Sequence, residues 1–279
     1  MKRRNFCDLG PWAYTISLRK QIAVRHIRNL FGREKYSCFR QKERMPAVVS
    51  SQCNGMIKHG PGIDLQLQLN KADNIRLACS RMDGLVVKPG ETFSFWQIVG
   101  KTSRSNGFKE GRVIINGRLV AGYGGGLCNL VNNINLLVLH SPLTITELHH
   151  HSDALAPDPD GKRTPYSAGT SVSYNYIDYR FRNDTNQPVQ LCVWCEGEDL
   201  HAELRTTMPF PYTYRIVEED HHFCKENDGV FYRNSRIYRE TLDRSTGQLI
   251  HRELHWKNHS KVMFDASLIP SDQIKTIQP

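Results

Sequence analysis

Gly122-Tyr123-Gly124-Gly125-Gly126-Leu127-Cys128-Asn129 is the stretch on which the reading of this chain turns. Three consecutive glycines are costly in backbone entropy, so the run points to positive φ or to close approach of something to the backbone. Immediately after it, Leu127 to His140 places Leu130, Ile134, Leu137 and Val138 at helical spacing, and Ser141-Pro142 stops the pattern. This predicts a mostly buried helix with Cys128 in its first turn. Just upstream, Val113-Ile114-Ile115 and Arg118-Leu119-Val120 flank Asn116-Gly117, a strong two-residue hairpin signal. Hairpin, glycine turn and buried helix in succession indicate mixed α and β structure.

Working outward, a helix is predicted from about Asp64 to Met82, with Leu67, Ile75, Leu77 and Ala78 facing the core and Gly84 ending it. Leu85-Val86-Val87, the turn Lys88-Pro89-Gly90-Glu91 and the alternating Thr92-Phe93-Ser94-Phe95-Trp96 read as strands. Leu143 to Leu148 reads as a strand ending in His149-His150-His151. Four more strands, Thr170–Tyr176, Asp178–Arg182, Val189–Cys195 and Asp199–Arg205, are expected to form a meander. Beyond residue 209, strands at Tyr212–Val217, Val230–Tyr232, Arg236–Thr241 and Leu249–His255 suggest a small antiparallel unit. The expected fold class is α+β. It comprises a basic helical N-terminal region with an irregular connection (1–63), a core with antiparallel strands and the cysteine-bearing helix (64–208), and a β-rich appendage (209–279).

The net charge is +9, yet 12 of the 37 Lys+Arg and only 3 of the 28 Asp+Glu fall in residues 1–50, which leaves 25 of each sign beyond. A basic arm on a neutral body argues against specific nucleic-acid binding and for a local contact. From Thr15 to Phe31, residues Ile16, Ala23, Ile27, Leu30 and Phe31 recur at helical spacing among Arg19, Lys20, Arg25 and Arg28. The amphipathic helix they predict serves either to pack on the body or to meet an anionic membrane surface. No apolar run of transmembrane length is present, and Met1-Lys2-Arg3-Arg4 is not followed by the apolar segment of an export signal. The eight cysteines are irregularly spaced, so reduced thiols and a cytoplasmic, membrane-associated location are the expectation.

A cysteine in the first turn of a helix feels the positive end of the dipole, which favours thiolate, and the neighbouring N–H groups can hold a developing oxyanion. A nucleophilic cysteine needs a base, and the histidine cluster lies about twenty residues downstream. In an extended strand His149 and His151 share one face. Three other readings remain open: a small buried thiol beside a tight connection, solvated histidines, and a zinc site formed by Cys128, His149 and His151. Cys192-Val193-Trp194-Cys195 has redox or zinc spacing, but its β context sends the two sulfurs to opposite faces. No cofactor motif is present.

Lys88-Pro-Gly-Glu-Thr-Phe-Ser-Phe-Trp96, Asn116-Gly117, Gly124-Gly-Gly-Leu-Cys128, Glu147-Leu-His-His-His-Ser152, Val172-Ser-Tyr174 and Arg182-Asn-Asp-Thr185 together resemble the VanW domain family over roughly residues 65–205. That family takes its name from an accessory protein of vancomycin-resistance clusters, and several members carry peptidoglycan-associated modules. The resemblance implies cysteine acyl transfer of the L,D-transpeptidase kind on a peptidoglycan precursor or stem peptide. It would make Cys128 the nucleophile, His151 the base and His149 the second candidate, with Gly124, Gly125, Gly126 and Asn129 against the substrate. The chain departs from the family in having Asn129 where Gln is usual and Gly169 where an Asp often stands.

Overall fold

The computed structural model describes residues 6–59, 63–115, 118–150, 153–154, 157 and 169–275, and its architecture is α+β. In chain order the elements are α1 (Pro11–Phe31), β1 (Lys35–Tyr36), β2 (Ala47–Gly55), α2 (Leu65–Met82), β3 (Leu85–Val87), β4 (Glu91–Ser94) and α3 (Phe95–Val99). Next come β5 (Glu110–Ile115), β6 (Arg118–Tyr123), α4 (Leu127–Leu139), β7 (Thr144–Glu147), β8 (Asp153–Ala154), β9 (Arg180–Arg182), β10 (Val189–Glu196) and β11 (Asp199–Thr206). The chain closes with β12 (Tyr212–Lys225), β13 (Phe231–Asp243) and β14 (Leu249–Val262).

α2 starts where Asp64 accepts a hydrogen bond from the Leu67 amide at 3.1 Å, satisfying one of the helix's unpaired N–H groups. It buries Ala72, Ile75, Ala78, Cys79 and Met82, whereas Leu67 and Leu77 are only half-buried. α4 buries Leu130, Val131, Ile134, Leu137 and Val138 in the same core. The two helices touch each other and lie on a sheet of order β2-β11-β10-β3, α2 on β10 and α4 on β2 and β11. Leu191, Val193, Leu200, Ala202 and Leu204 face them from that sheet. Each such aliphatic side chain contributes on the order of 1.5–3 kcal/mol by leaving water. A second sheet, β1-β4-β9-β7, adds Phe93 stacked on Phe181 with centroids 4.8 Å apart.

The β5–β6 hairpin forms with Ile115 opposite Arg118, as the Asn116-Gly117 signal requires; the two turn residues lie outside the described residues. Thr92 to Trp96 does not continue as a strand. Ser94 caps α3 by accepting from the Gln97 amide, and Asp178 accepts from the Trp96 amide at 3.1 Å, so the chain turns helical at Phe95. The expected meander is also absent: Thr170–Tyr176 carries only isolated bridges, β9 joins one sheet and the β10–β11 hairpin joins another. Between them Asn183, fully buried, donates to Val87 O and Gln187 O and turns the chain. The connection read as irregular contains β2, a nine-residue edge strand whose small and polar residues gave it no period to detect.

The four short C-terminal strands are three long ones. β13 runs through the gap between two predicted pieces, and register shifts at Glu219/His222, Ile237/Tyr238 and Thr241/Leu242 keep the ladder continuous. This sheet meets α4 through Ile237 against Leu136 and Leu139, while Arg239 donates to the carbonyls of Leu139 and Ser141 at the helix C-terminus. α1 turns Tyr14, Leu18, Ile22, Arg25 and Asn29 inward. Ile16, Ala23, Ile27, Leu30 and Phe31, expected as the packing face, are exposed instead.

Asp178 is fully buried and accepts from Ser94 Oγ (2.6 Å), the Trp96 and Tyr179 amides and Arg180 Nε (2.8 Å). Removing one partner of a buried ion pair leaves the other charge uncompensated. Asp178→Ala is therefore expected to cost about 3–5 kcal/mol in a urea titration, and an unchanged midpoint would show that the network is dispensable.

Candidate functional site

β6 leads into the glycine turn, and two of its residues occupy backbone geometry that other side chains rarely adopt: Gly124 has φ +82° and Gly126 has φ +96°. Neighbours also close over both. A Cβ on Gly126 would lie 2.2 Å from Lys71 Cγ, and one on Gly124 would lie 2.5 Å from Thr102 Cγ2. Asn74, buried on α2, fixes the turn by donating to Gly125 O and Lys109 O at 3.0 Å each while accepting from the Lys109 amide at 2.8 Å. Gly126 is the N-cap of α4 and Leu127 its first residue, which makes Cys128 the second.

Cys128 is half-buried. Burial pushes its thiol pKa up, and the backbone N–H groups of Val172 and of Cys128 itself offset this only in part. The resting group is a thiol. The helix-terminus effect expected from sequence is outweighed by desolvation. Val172 belongs to a strap that also reaches the histidines: the Ser171 amide donates to His149 O at 2.7 Å and Thr170 bridges His150. Further along, Tyr174 packs edge-on against Trp96 with centroids 5.7 Å apart. The Val-Ser-Tyr segment thus links the cysteine, the histidine segment and the tryptophan of the Pro-Gly-Glu-Thr-Phe-Ser-Phe-Trp motif.

His149 is exposed, and its Nε2 lies 3.3 Å from Glu147 Oε1. Glu147 in turn accepts two hydrogen bonds from the Arg25 guanidinium at 2.6 Å each and one from the Asp178 amide at 3.1 Å. Burial raises its pKa, but those bonds outweigh burial and hold it below the ordinary carboxylate range. Glu147 thus offers a carboxylate partner for a histidine although position 169 is glycine. His150 stacks on Trp256 at 4.0 Å, and His151 lies outside the described residues. Asn129 accepts from Asn133 Nδ2 through both its backbone and side-chain oxygens, at 3.0 and 3.3 Å, and Asn133 accepts from Asn54.

Sequence reading gave no role to Lys71, Asn74 or Glu147. Glu147 had a signal, since it lies two residues before His149 and so shares its face of an extended strand. Lys71 had none. Its aliphatic stem covers Gly126, and burial, with Lys58 second, lowers its ammonium from 10.5 to about 8. The grouping that can hold a metal ion among the described residues lies elsewhere, at Cys53, Asp199 and His201 on the outer face of β2 and β11. Cys192 and Cys195 diverge; Cys192 is buried, and Cys195 Sγ approaches Cys79 Sγ at 4.0 Å. A cavity of about 200 Å³ opens at the far end of α4, lined in part by His140, Tyr212, Tyr214 and Arg244.

These features define an α+β protein that presents a strapped cysteine at the start of a buried helix, behind an obligatory glycine turn. The family model described as "VanW like protein" matches residues 70–205, so this segment is a domain of that family. It is 28% identical over 230 residues to the "Vancomycin B-type resistance protein VanW" of Enterococcus faecalis (strain ATCC 700802 / V583), covering 81% of this chain and 83% of that protein. It is 34% identical over 120 residues to the "Uncharacterized protein YoaR" of Bacillus subtilis (strain 168), covering 43% of this chain and 38% of that one. No solved structure matches.

Two measurements probe this geometry. Iodoacetamide at pH 7, followed by peptide mass spectrometry, is expected to label exposed Cys38 and Cys53 well before Cys128, whose raised pKa and partial burial both slow thiolate attack. Lys71 has a lower pKa folded than unfolded, so the unfolded chain binds more protons between pH 8 and 10.5 and stability gains from Lys71 as pH rises through that window. Lys71→Met is therefore expected to raise the melting temperature at pH 7. The difference from the parent protein should shrink between pH 8 and 10.5, and a constant difference would contradict the burial.

Proposed function

We propose that this protein carries out cysteine-dependent acyl transfer on a peptidoglycan stem peptide. The observation that supports this most directly is the placement of Cys128 at the second position of a buried helix, where the Val172 backbone N–H partly offsets the effect of burial on the thiol. In this reading a histidine removes the thiol proton, and the sulfur attacks a peptide carbonyl. Amides at the α4 N-terminus stabilise the oxyanion. The C–N bond breaks as the imidazolium returns the proton to the leaving amine, which leaves a thioester on Cys128. A second amine, or water, then releases the acyl group. His149, with its Glu147 contact, supplies one base and His151 the other candidate. The raised thiol pKa makes that base a requirement.

A non-catalytic reading, in which the turn grips a cell-wall peptide without turning it over, draws on the same raised pKa and on the strap across the thiol. Intact-mass analysis after incubation with a tetrapeptide stem separates the two. Catalysis predicts an acyl adduct localised to Cys128, lost in Cys128→Ala and slowed at least about tenfold in a variant lacking the base. Binding that survives Cys128→Ser without adduct or product would sink the catalytic reading.

A further inference from the structure

α1 presents two faces of opposite character. At 3.6 residues per turn, Tyr14, Leu18, Ile22, Arg25 and Asn29 fall on one line. All five are half-buried, and this face is held to the body largely by polar bonds: Arg25 to Glu147 and Asn29 Oδ1 to Arg180 Nη2 at 2.8 Å. On the opposite side Trp12, Ile16, Ile27 and Leu30 align, with Phe31 at the end, and every one is more than half exposed; Leu30 and Phe31 reach 76% and 79%. The preceding turn extends the patch, since Phe6 meets Trp12 edge-on at 5.6 Å and Leu9 is exposed beside them. Ala23 and Lys20 lie between Ile16 and Ile27 on this face, and an exposed apolar strip of this kind marks a place where something apolar docks.

Charge says what docks there. α1 contains no acidic residue, and exposed Arg19 and Arg28 lie on the two sides of the apolar strip, with exposed Lys20 within it. A second copy of the helix laid on this face by two-fold symmetry would oppose cation to cation, with no carboxylate on either helix to pair them. An anionic lipid layer satisfies both features at once, because acyl chains receive the apolar strip while headgroup phosphates meet the flanking cations. No helix among the described residues is long and apolar enough to cross a membrane, so α1 would lie in the interface over its length of about 31 Å.

We infer that α1 is a membrane-docking surface that seats the protein on an anionic phospholipid leaflet. Trp12, Ile16, Ile27, Leu30 and Phe31 enter the acyl boundary, and Arg19, Lys20 and Arg28 remain among the headgroups. The inward face stays bound to Glu147 and Arg180, so docking places the Cys128 domain beside the bilayer. This inference stands apart from the chemistry of Cys128.

The test is co-sedimentation of the full chain with vesicles of phosphatidylglycerol and phosphatidylcholine, and with vesicles of phosphatidylcholine alone. Binding is expected on the anionic vesicles, falling as NaCl is raised, with a blue shift of tryptophan emission that Trp12→Phe removes. The pair Ile27→Glu and Leu30→Glu, and separately Arg19→Glu with Lys20→Glu, should each lower apparent affinity by about tenfold or more. These positions are exposed, so an unchanged melting temperature verifies the fold. Three results would overturn the inference: no binding to anionic vesicles, equal binding by Ile27→Glu/Leu30→Glu, or light scattering that shows a dimer dissociated by those substitutions.

Discussion

A buried arginine must find acceptors for its N–H groups, and Arg180 finds them in three parts of the chain. Its Nε meets Asp178, its Nη1 meets Glu34 and Tyr36 at the entry to β1, and its Nη2 meets Asn29 on α1. Asp178 in turn fixes the Ser94 hydroxyl and the Trp96 amide, which is where β4 becomes α3. Glu147 completes the set at 3.5 Å from Arg180 and carries the histidine contact. One ion network therefore joins the N-terminal helix, the Trp96 turn and the strand that leads to the histidines.

α4 is secured at both ends by polar groups that other elements lend. At the start Asn74 ties down the glycine turn, and at the end Arg239 takes up terminal carbonyls against the helix dipole. Between them ten of its thirteen residues are buried. These contacts fix α4 at both ends, with Cys128 in its first turn. The same burial that gives rigidity raises the thiol pKa. Position and reactivity therefore pull against each other at this residue.

The glycine turn shows how sequence and packing agree. Gly124 and Gly126 need positive φ, and neighbouring side chains fill the space that a Cβ would take. Lys71 is one of those neighbours, and its ammonium loses water as its stem closes over Gly126. A titratable group tuned to about 8 beside the turn is thus a by-product of closing that turn.

The sequence by itself determined the elements whose signals are local: the Asn116-Gly117 hairpin, the period of α2 and α4, the placement of Cys128 in a first helical turn and the family motifs. Where the periodicity was complete, the helix boundaries followed within a residue or two. Tertiary structure decided the rest. β2 has no period because it is an edge strand of small polar residues, and its pairing with β11 exists only once the sheet forms. The apolar residues of α1 looked like a packing face, but the long-range Arg25–Glu147 ion pair and the hydrogen bond that Asn29 accepts from Arg180 turned the other side inward. The thiol pKa and the lowered pKa of Glu147, held by Arg25 and the Asp178 amide, depend on residues from remote segments. Desolvation and ion pairing are properties of an assembled interior, and no spacing along the chain encodes them.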